Sequence, residues 1–588
     1  MEMTSDEWRV TRKCKTQGRK GGQGEILRAV YPERSERTQN DGQGLRMTAK
    51  GSGWQRRSRN GNVQKRFPAA CKAPPFLSRG KESGPGVILP GMRMKLIVAA
   101  LLLLSFAGPA NGAAPYEANW DSLDRRPMPA WFADAKFGIF IHWGVYSVPA
   151  YAPVNKEGET GYSEWYWNSL VTGREQAAKD GKGNSTYQFH QRWYGDDFAY
   201  ERFAPMFRAE FFDPDQWAEI FRRSGAKYIV PTSKHHDGFA MWPSEEASRT
   251  WGRPWNSKVA GPRRDLLGEL TEAVRKQGLH MGFYYSLYEW YNPLWLSDRP
   301  RYVNEHMQPQ FKDVVTRYKP DIIFSDGEWE MTSAEWKSPE LLAWLFNESP
   351  VKDEVVINDR WGKETRHKHG GYYTTEYTAG LAGGEHAWEE SRGMGHSYGY
   401  NRMESLTDYH TSRELLLMLI DIVSRGGNFL LDIGPAADGR IPVIMQQRLA
   451  DMGSWLAMNG EAIYGTRSWR TSHQWSEGKV PDMKTGNRFM TRYEVTDFVD
   501  RKNKDTAIIE AFFTKKGETL YAILPHRPVQ EFLVKDVKSS AGTEVTILGE
   551  SGRLKFRAES AGLRVAVPPP SETTQPGYAT VLRITGAR

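Results

Sequence analysis

The chain has 588 residues, enough for two folded domains, because a single core rarely grows past about 250 to 300 residues. Its formal charge of +8 invites a nucleic-acid partner, but residues 1–90 alone hold nineteen Lys/Arg against eight Asp/Glu, so the remainder is mildly acidic and no such partner is expected. Both cysteines, Cys14 and Cys71, lie in that first stretch, which excludes disulfides and thiolate metal sites from everything beyond it.

Residues 1–93 are rich in Gly, Arg, Lys and Gln and lack apolar periodicity; they are expected to be a disordered or non-native extension. The next stretch, "MKLIVAALLLLSFAGPANGA" (94–113), has a basic start, an apolar run and small residues at its end. That is the layout of a secretory signal peptide, and the run falls short of the ~20 residues a membrane span needs. Export to a periplasmic, secreted or lysosome-like compartment is expected, without stable membrane insertion, and Met92 or Met94 is the expected translational start.

From Trp131 onward short apolar runs recur and end in polar and aromatic clusters: "KFGIFIHWG" (136–144), "KYIVPTSKHHDG" (227–238), "HMGFYYSL" (280–287), "DIIFSDG" (321–327), "EVVINDR" (354–360) and "NFLLDIGP" (428–435). Each has the character of a strand buried on both faces. Helical patterns lie between them. "DPDQWAEIFRRSG" offers Asp213 as N-cap, Pro214 at the first helical position and an apolar stripe of Trp217, Ile220 and Phe221; "DLLGELTEAVRKQG" and "TSRELLLMLIDIVSRGG" repeat the design. Strand and helix in alternation imply a mostly parallel sheet. No G-x-G-x-x-G follows a strand, whereas polar residues close at least five strands, so the pattern predicts an α/β, (β/α)8-like barrel over residues 114–470.

After about residue 466 the texture changes. "RFMTRYEVTDF", "DTAIIEAFFTKKGETLYAIL", "TEVTILGE", "RLKFRAE" and "YATVLRITG" alternate apolar with polar residues, which predicts a C-terminal antiparallel β-sandwich over 480–588, with the boundary near 468–485. Its plainest role is to brace the barrel.

The strand ends would gather the chemistry. In "DIIFSDG" the period of two puts Ile322, Phe324 and Asp326 on one face, so Asp326 would stand at the barrel mouth and Gly327 would let the backbone turn away. Around it would come His142 and Trp143, His235 and His236, Tyr284 and Tyr285, Asn358 and Arg360, and acidic residues from 371–390. Aromatic faces, histidines, one arginine and carboxylates suit a neutral polyhydroxylated ring with acid groups for bond cleavage. "HHDG" could ligate zinc, but in a regular strand His235 and His236 point to opposite faces and no H-x-x-x-H accompanies them, so no metal and no cofactor are expected.

The blocks "FGIFIHWGVYSVPA", "SEWYWN", "KYIVPTSKHHDGFAMWPS", "FYYSLYEWYNP", "KPDIIFSDGEWE", "VVINDRWG" and "NFLLDIGPAADGRIP" resemble, in order, those of glycoside hydrolase family 29, the retaining α-L-fucosidases. The resemblance implies Asp326 as nucleophile and His142, Glu164, Trp165, His235, His236, Tyr285 and Arg360 as sugar contacts. For the general acid/base it leaves Glu376 of "YYTTEYT" and Glu389 of "HAWEESRG" open, Glu376 favoured, with Glu385 third. It also implies a fucosylated glycan or glycoconjugate as substrate; aromatic side chains such as Trp143, Trp165 and Trp329 are expected to pack on the sugar's apolar face. Homo-oligomers are compatible with it. The rival expectation is an inactive glycan-binding protein on the same barrel.

Overall fold

A computed structural model describes residues 115–154, 158–384, 386–486, 493–570 and 578–588. The leader at 94–113, the segment before it and Glu385 lie outside the described residues.

Eight strands form the first domain: β1 (Phe137–Ile141), β2 (Tyr228–Lys234), β3 (His280–Ser286), β4 (Ile322–Asp326), β5 (Val356–Ile357), β6 (Tyr373–Glu376), β7 (Trp388–Gly393) and β8 (Asn428–Ile433). They pair in the order β5-β4-β3-β2-β1-β8-β7-β6, every pair parallel. A parallel bridge between Asn358 and Tyr372, with Tyr372 N donating to the Ile357 carbonyl at 3.0 Å, joins the two ends and closes the barrel.

Alternate side chains point inward, and Phe140, Tyr228, Val230, Tyr284, Ile322, Phe324, Val356, Tyr372 and Leu430 fill the lumen. The outward residues pack under helices α1 (Pro214–Ser224), α2 (Leu266–Lys276), α3 (Gln308–Tyr318), α4 (Ser338–Asn347), α5 (Ser412–Ser424) and α6 (Val443–Asn459). Local sequence sets their ends. The Asp213 side chain accepts from Gln216 N at 3.0 Å and Gly225 closes α1 at φ 90°, while Thr411 and Glu414 form a capping box on α5. The expected alternation fails in one region: among the described residues no helix separates β5 from β6 or β6 from β7.

The strands of the second domain are β9 (Arg467–Trp475), β10 (Ile509–Lys516), β11 (Thr519–Leu524), β12 (Gln530–Lys535), β13 (Glu544–Ile547), β14 (Phe556–Glu559), β15 (Gly562–Val567) and β16 (Thr580–Thr585). They form a five-stranded antiparallel sheet in the order β13-β16-β11-β10-β9 and a three-stranded one in the order β12-β15-β14. The sandwich therefore opens at Arg467, ahead of the boundary expected from composition, and it includes β12 and β15, which the sequence patterns did not single out. Of "RFMTRYEVTDF", the described part carries a short helix, Thr496–Val499, in place of a strand. Thr514 Oγ1 donates to the Ala462 carbonyl at 2.7 Å and Trp455 Nε1 to the Ala579 carbonyl at 3.0 Å, so hydrogen bonds stitch the sandwich to the barrel's last helical turns.

Candidate active site

On β4 the expected parity holds: Ile322 and Phe324 lie inside the barrel and Asp326 stands above them. Gly327 turns the chain at φ 73°, where a Cβ would meet the Tyr288 ring at 2.4 Å. The Asp326 carboxylate is largely buried and fully partnered. Oδ1 accepts from Arg360 Nη1 at 2.7 Å and Oδ2 from the Tyr284 hydroxyl at 2.8 Å, with His236 Nε2 at 3.5 Å and Arg366 Nη2 at 3.9 Å. Burial alone would raise its pKa, but Arg360, His236 and Arg366 outweigh it and hold the group below the usual carboxylate range.

Arg360, just past β5, is itself buried and held in place by Nε donating to Thr374 Oγ1 at 3.0 Å. Its Nη2 donates to Glu376 Oε2 at 3.0 Å. One guanidinium therefore spans Asp326 and Glu376, the last residues of β4 and β6. Both carboxylates face a cavity of about 410 Å³.

Three histidines share that cavity, and burial lowers the pKa of each. Ser286 Oγ donates to the Tyr288 carbonyl at 2.6 Å, so its 2.6 Å contact with His236 Nδ1 makes that nitrogen the donor. With its pKa down at about 4, His236 is neutral and turns the lone pair of Nε2 to the cavity side, ready to accept from a hydroxyl. His142 Nδ1 is paired with Asp432 Oδ1 at 2.7 Å, and burial drives its pKa to about 3. Glu164 lines the cavity too; burial pushes it up to about 7 although Gly399 N at 2.8 Å and Ser397 Oγ at 3.1 Å donate to it. Trp165 and Trp329 supply aromatic walls.

Of the expected site residues, the cavity gathers Asp326, Glu376, His142, Glu164, Trp165, His235, His236 and Arg360. Tyr285 and Glu389 are corrections. Tyr285 faces away from the lumen, its hydroxyl donating to Gln310 Oε1 at 2.9 Å; the neighbour Tyr284 reaches Asp326, because Gly282 and Tyr284 share the inward parity of β3. Glu389 points into the barrel one layer below the cavity and accepts from the Tyr228 hydroxyl at 2.5 Å. Trp143 packs among Phe207, Phe212 and Trp217 and stays out of the cavity. His235 and His236 do not diverge as strand neighbours would, since β2 ends at Lys234 and both sit in the turn beyond it. Asp237 leaves that cluster to accept from Tyr200 at 2.8 Å, and among the described residues no group of three or more His, Cys, Asp or Glu is arranged to hold a metal.

Sequence patterns named Tyr284 and Tyr285 together, and the parity of Gly282 and Tyr284 picks the first. They missed three residues, of which the parity of Leu430 and Asp432 could have found the partner of His142. Tyr398, stacked on His142 at 4.8 Å, and Arg366 come from loops with no periodic signal.

Comparison with known proteins agrees with this geometry. Residues 103–461 match the family model described as alpha-L-fucosidase, and residues 503–585 that of the alpha-L-fucosidase C-terminal domain. The tissue alpha-L-fucosidase of Homo sapiens is 40% identical over 521 residues, which cover 85% of this chain and 99% of that protein. The alpha-L-fucosidase of Dictyostelium discoideum is 38% identical over 510 residues, 84% of this chain and 99% of its own. Among solved structures, the Thermotoga maritima alpha-fucosidase in complex with fucose is 33% identical, covers 80% of this chain and 100% of its own, and superposes with a TM-score of 0.63. A barrel mouth with two carboxylates on one guanidinium, and a sandwich behind it, is thus found in a chain that matches these relatives along nearly their whole length: the chain belongs to the alpha-L-fucosidase family and is a glycoside hydrolase acting on α-L-fucosides.

Proposed function

We propose that the chain removes terminal α-L-fucose from exported or extracytoplasmic glycans by double displacement. Asp326 attacks the anomeric carbon while the Glu376 carboxylic acid protonates the departing oxygen; Glu376 then takes a proton from water as that water cleaves the fucosyl ester. The carrying observation is the single guanidinium that bonds both carboxylates. A shared partner brings both carboxylates to one side of the cavity, and the reading requires them about 5 to 5.5 Å apart for direct attack, against about 6.5 to 9.5 Å for an inverting pair that holds a water between them.

The charge on Asp326 suits the cycle: with Arg360, His236 and Arg366 holding its pKa below the usual carboxylate range, it is ionised and ready to attack. Neutral His236 keeps an acceptor for a sugar hydroxyl and neutral His142 a second polar contact, and the arrangement of these groups does more for stereochemical choice than the C5 methyl, since a methyl-sized pocket contributes only about 1 to 3 kcal/mol.

The fucose complex of the Thermotoga maritima relative supports a fucosylated substrate. The constellation of Asp326, Glu376 and Arg360 favours catalysis over a binding-only role. Proton NMR of the first sugar released from an aryl α-L-fucoside tests the mechanism: α-fucose should appear first and mutarotate afterward. Initial release of β-fucose would refute it.

A further inference from the structure

The segment after Glu376 is strained and tied down. Tyr377 sits at φ 51°, in the left-handed region that side chains other than glycine enter at a cost. Thr378 is gripped on three sides: its N–H donates to Glu390 Oε1 at 2.8 Å, its Oγ1 to Glu390 Oε2 at 3.2 Å, and its carbonyl accepts from Arg392 Nη2 at 2.7 Å. Farther on, the Gly380 carbonyl accepts from Gly486 N at 3.0 Å and the Leu381 carbonyl from the Arg425 guanidinium.

These clamps reach the second domain, Arg392 directly and Arg425 through Asp421 of α5. Arg392 Nη1 donates to the Tyr493 carbonyl at 2.9 Å, and the Tyr493 hydroxyl donates to Asp421 Oδ2 at 2.8 Å. Asp421 also binds Arg425 Nη2 at 2.6 Å and His473 Nε2 at 2.7 Å. Gly486 and Tyr493 belong to the connection between β9 and β10, and His473 to β9. Two buried arginines face two buried carboxylates, Glu390 and Asp421, so the network is charge-balanced where an unpaired ion would be costly. Simple bracing would need contacts anywhere along the barrel wall. Here the acceptors are backbone carbonyls within five residues of Glu376.

We propose that Gly486 and Tyr493, between β9 and β10 of the sandwich, are positioning residues for catalysis: with Arg392, and with Arg425 through Asp421, they hold the turn after β6 and so fix where the Glu376 carboxyl sits. This rests on Glu376 being the acid/base. Arg392 and Tyr493 touch neither sugar nor reacting atoms and act only through that turn.

The test compares kcat/KM of the full chain on two aryl fucosides. A 2,4-dinitrophenyl leaving group departs almost unaided, whereas a phenyl group depends on proton donation. Arg392→Gln should lose roughly ten- to hundredfold on the phenyl substrate and less than about threefold on the dinitrophenyl one, as expected of a displaced proton donor. Arg392→Lys should restore part of the loss. Equal losses on both substrates, or none, would overturn the proposal. Should Arg392→Gln fail to fold by near-UV circular dichroism, Arg392→Lys, whose single ammonium cannot reproduce the two-armed grip on the Thr378 and Tyr493 carbonyls, decides: a smaller loss confined to the phenyl substrate supports positioning and its absence refutes it. Glu376→Gln in the same series separates the two assignments. If its own loss is independent of leaving group, the acid/base assignment falls; if its loss is selective while that of Arg392→Gln is not, only the positioning role falls.

Discussion

Glu376 and Glu389 illustrate how one register step separates two candidate acids. In the β6–β7 ladder Thr374 pairs with Glu389 and Glu376 with Ser391, so Glu389 lies one layer deeper, among Tyr228 and the lumen, while Glu376 reaches the cavity. Glu376→Gln should lower kcat/KM on a phenyl fucoside by about 10² to 10⁴, the usual worth of general acid catalysis, and Glu389→Gln by less than about threefold. Glu389 has a different signature. Burial pushes its pKa up to about 7 from an ordinary 4.5, so between those values the folded chain binds more protons than the unfolded one and stability falls as pH rises across that window, by about 3 kcal/mol for this group. Thermal melting of Glu389→Gln against wild type should show a flatter fall in Tm from pH 4.5 to 7; an unchanged slope would place the proton elsewhere. At this scale residue type was legible and direction was not always. The Tyr284/Tyr285 pair was misjudged because two adjacent tyrosines carry the same chemical signal and only the parity set by Gly282 tells them apart.

Among the elements, β4 was readable in full: a buried run, a period of two and a glycine at the turn place Asp326 without any tertiary information. Gly327 makes that placement possible. At φ 73° and with Tyr288 in the path of a Cβ, Gly327→Ala should cost about 1 to 3 kcal/mol of strain and displace the nucleophile, seen as a drop in kcat with a lower Tm. A variant with wild-type values of both would show that the turn is not constrained as described. β2 was less readable, since nothing in "SKHHDG" marks where the strand ends, and the histidines swing together only because it ends at Lys234. The connections around β6 also escaped, because irregular segments without helices leave no periodic pattern to detect.

At the scale of the whole chain, the barrel followed from strands that each close on polar residues, and the sandwich from alternation after residue 466. The bonds that join them were hidden. The Arg392–Tyr493 bond links positions 101 residues apart and uses a backbone acceptor, so no side-chain pattern announces it. The same holds for Arg360, whose type was legible but whose double grip on Asp326 and Glu376 emerges only when β4, β5 and β6 close into one rim. The central claim is that Asp326 forms the covalent bond to fucose. Incubation with a 2-deoxy-2-fluoro-fucosyl fluoride, followed by proteolysis and mass spectrometry, tests it most directly. One fluorofucosyl group is expected on the peptide containing Asp326 and none on its Asp326→Asn variant; a label on another carboxylate would contradict the claim.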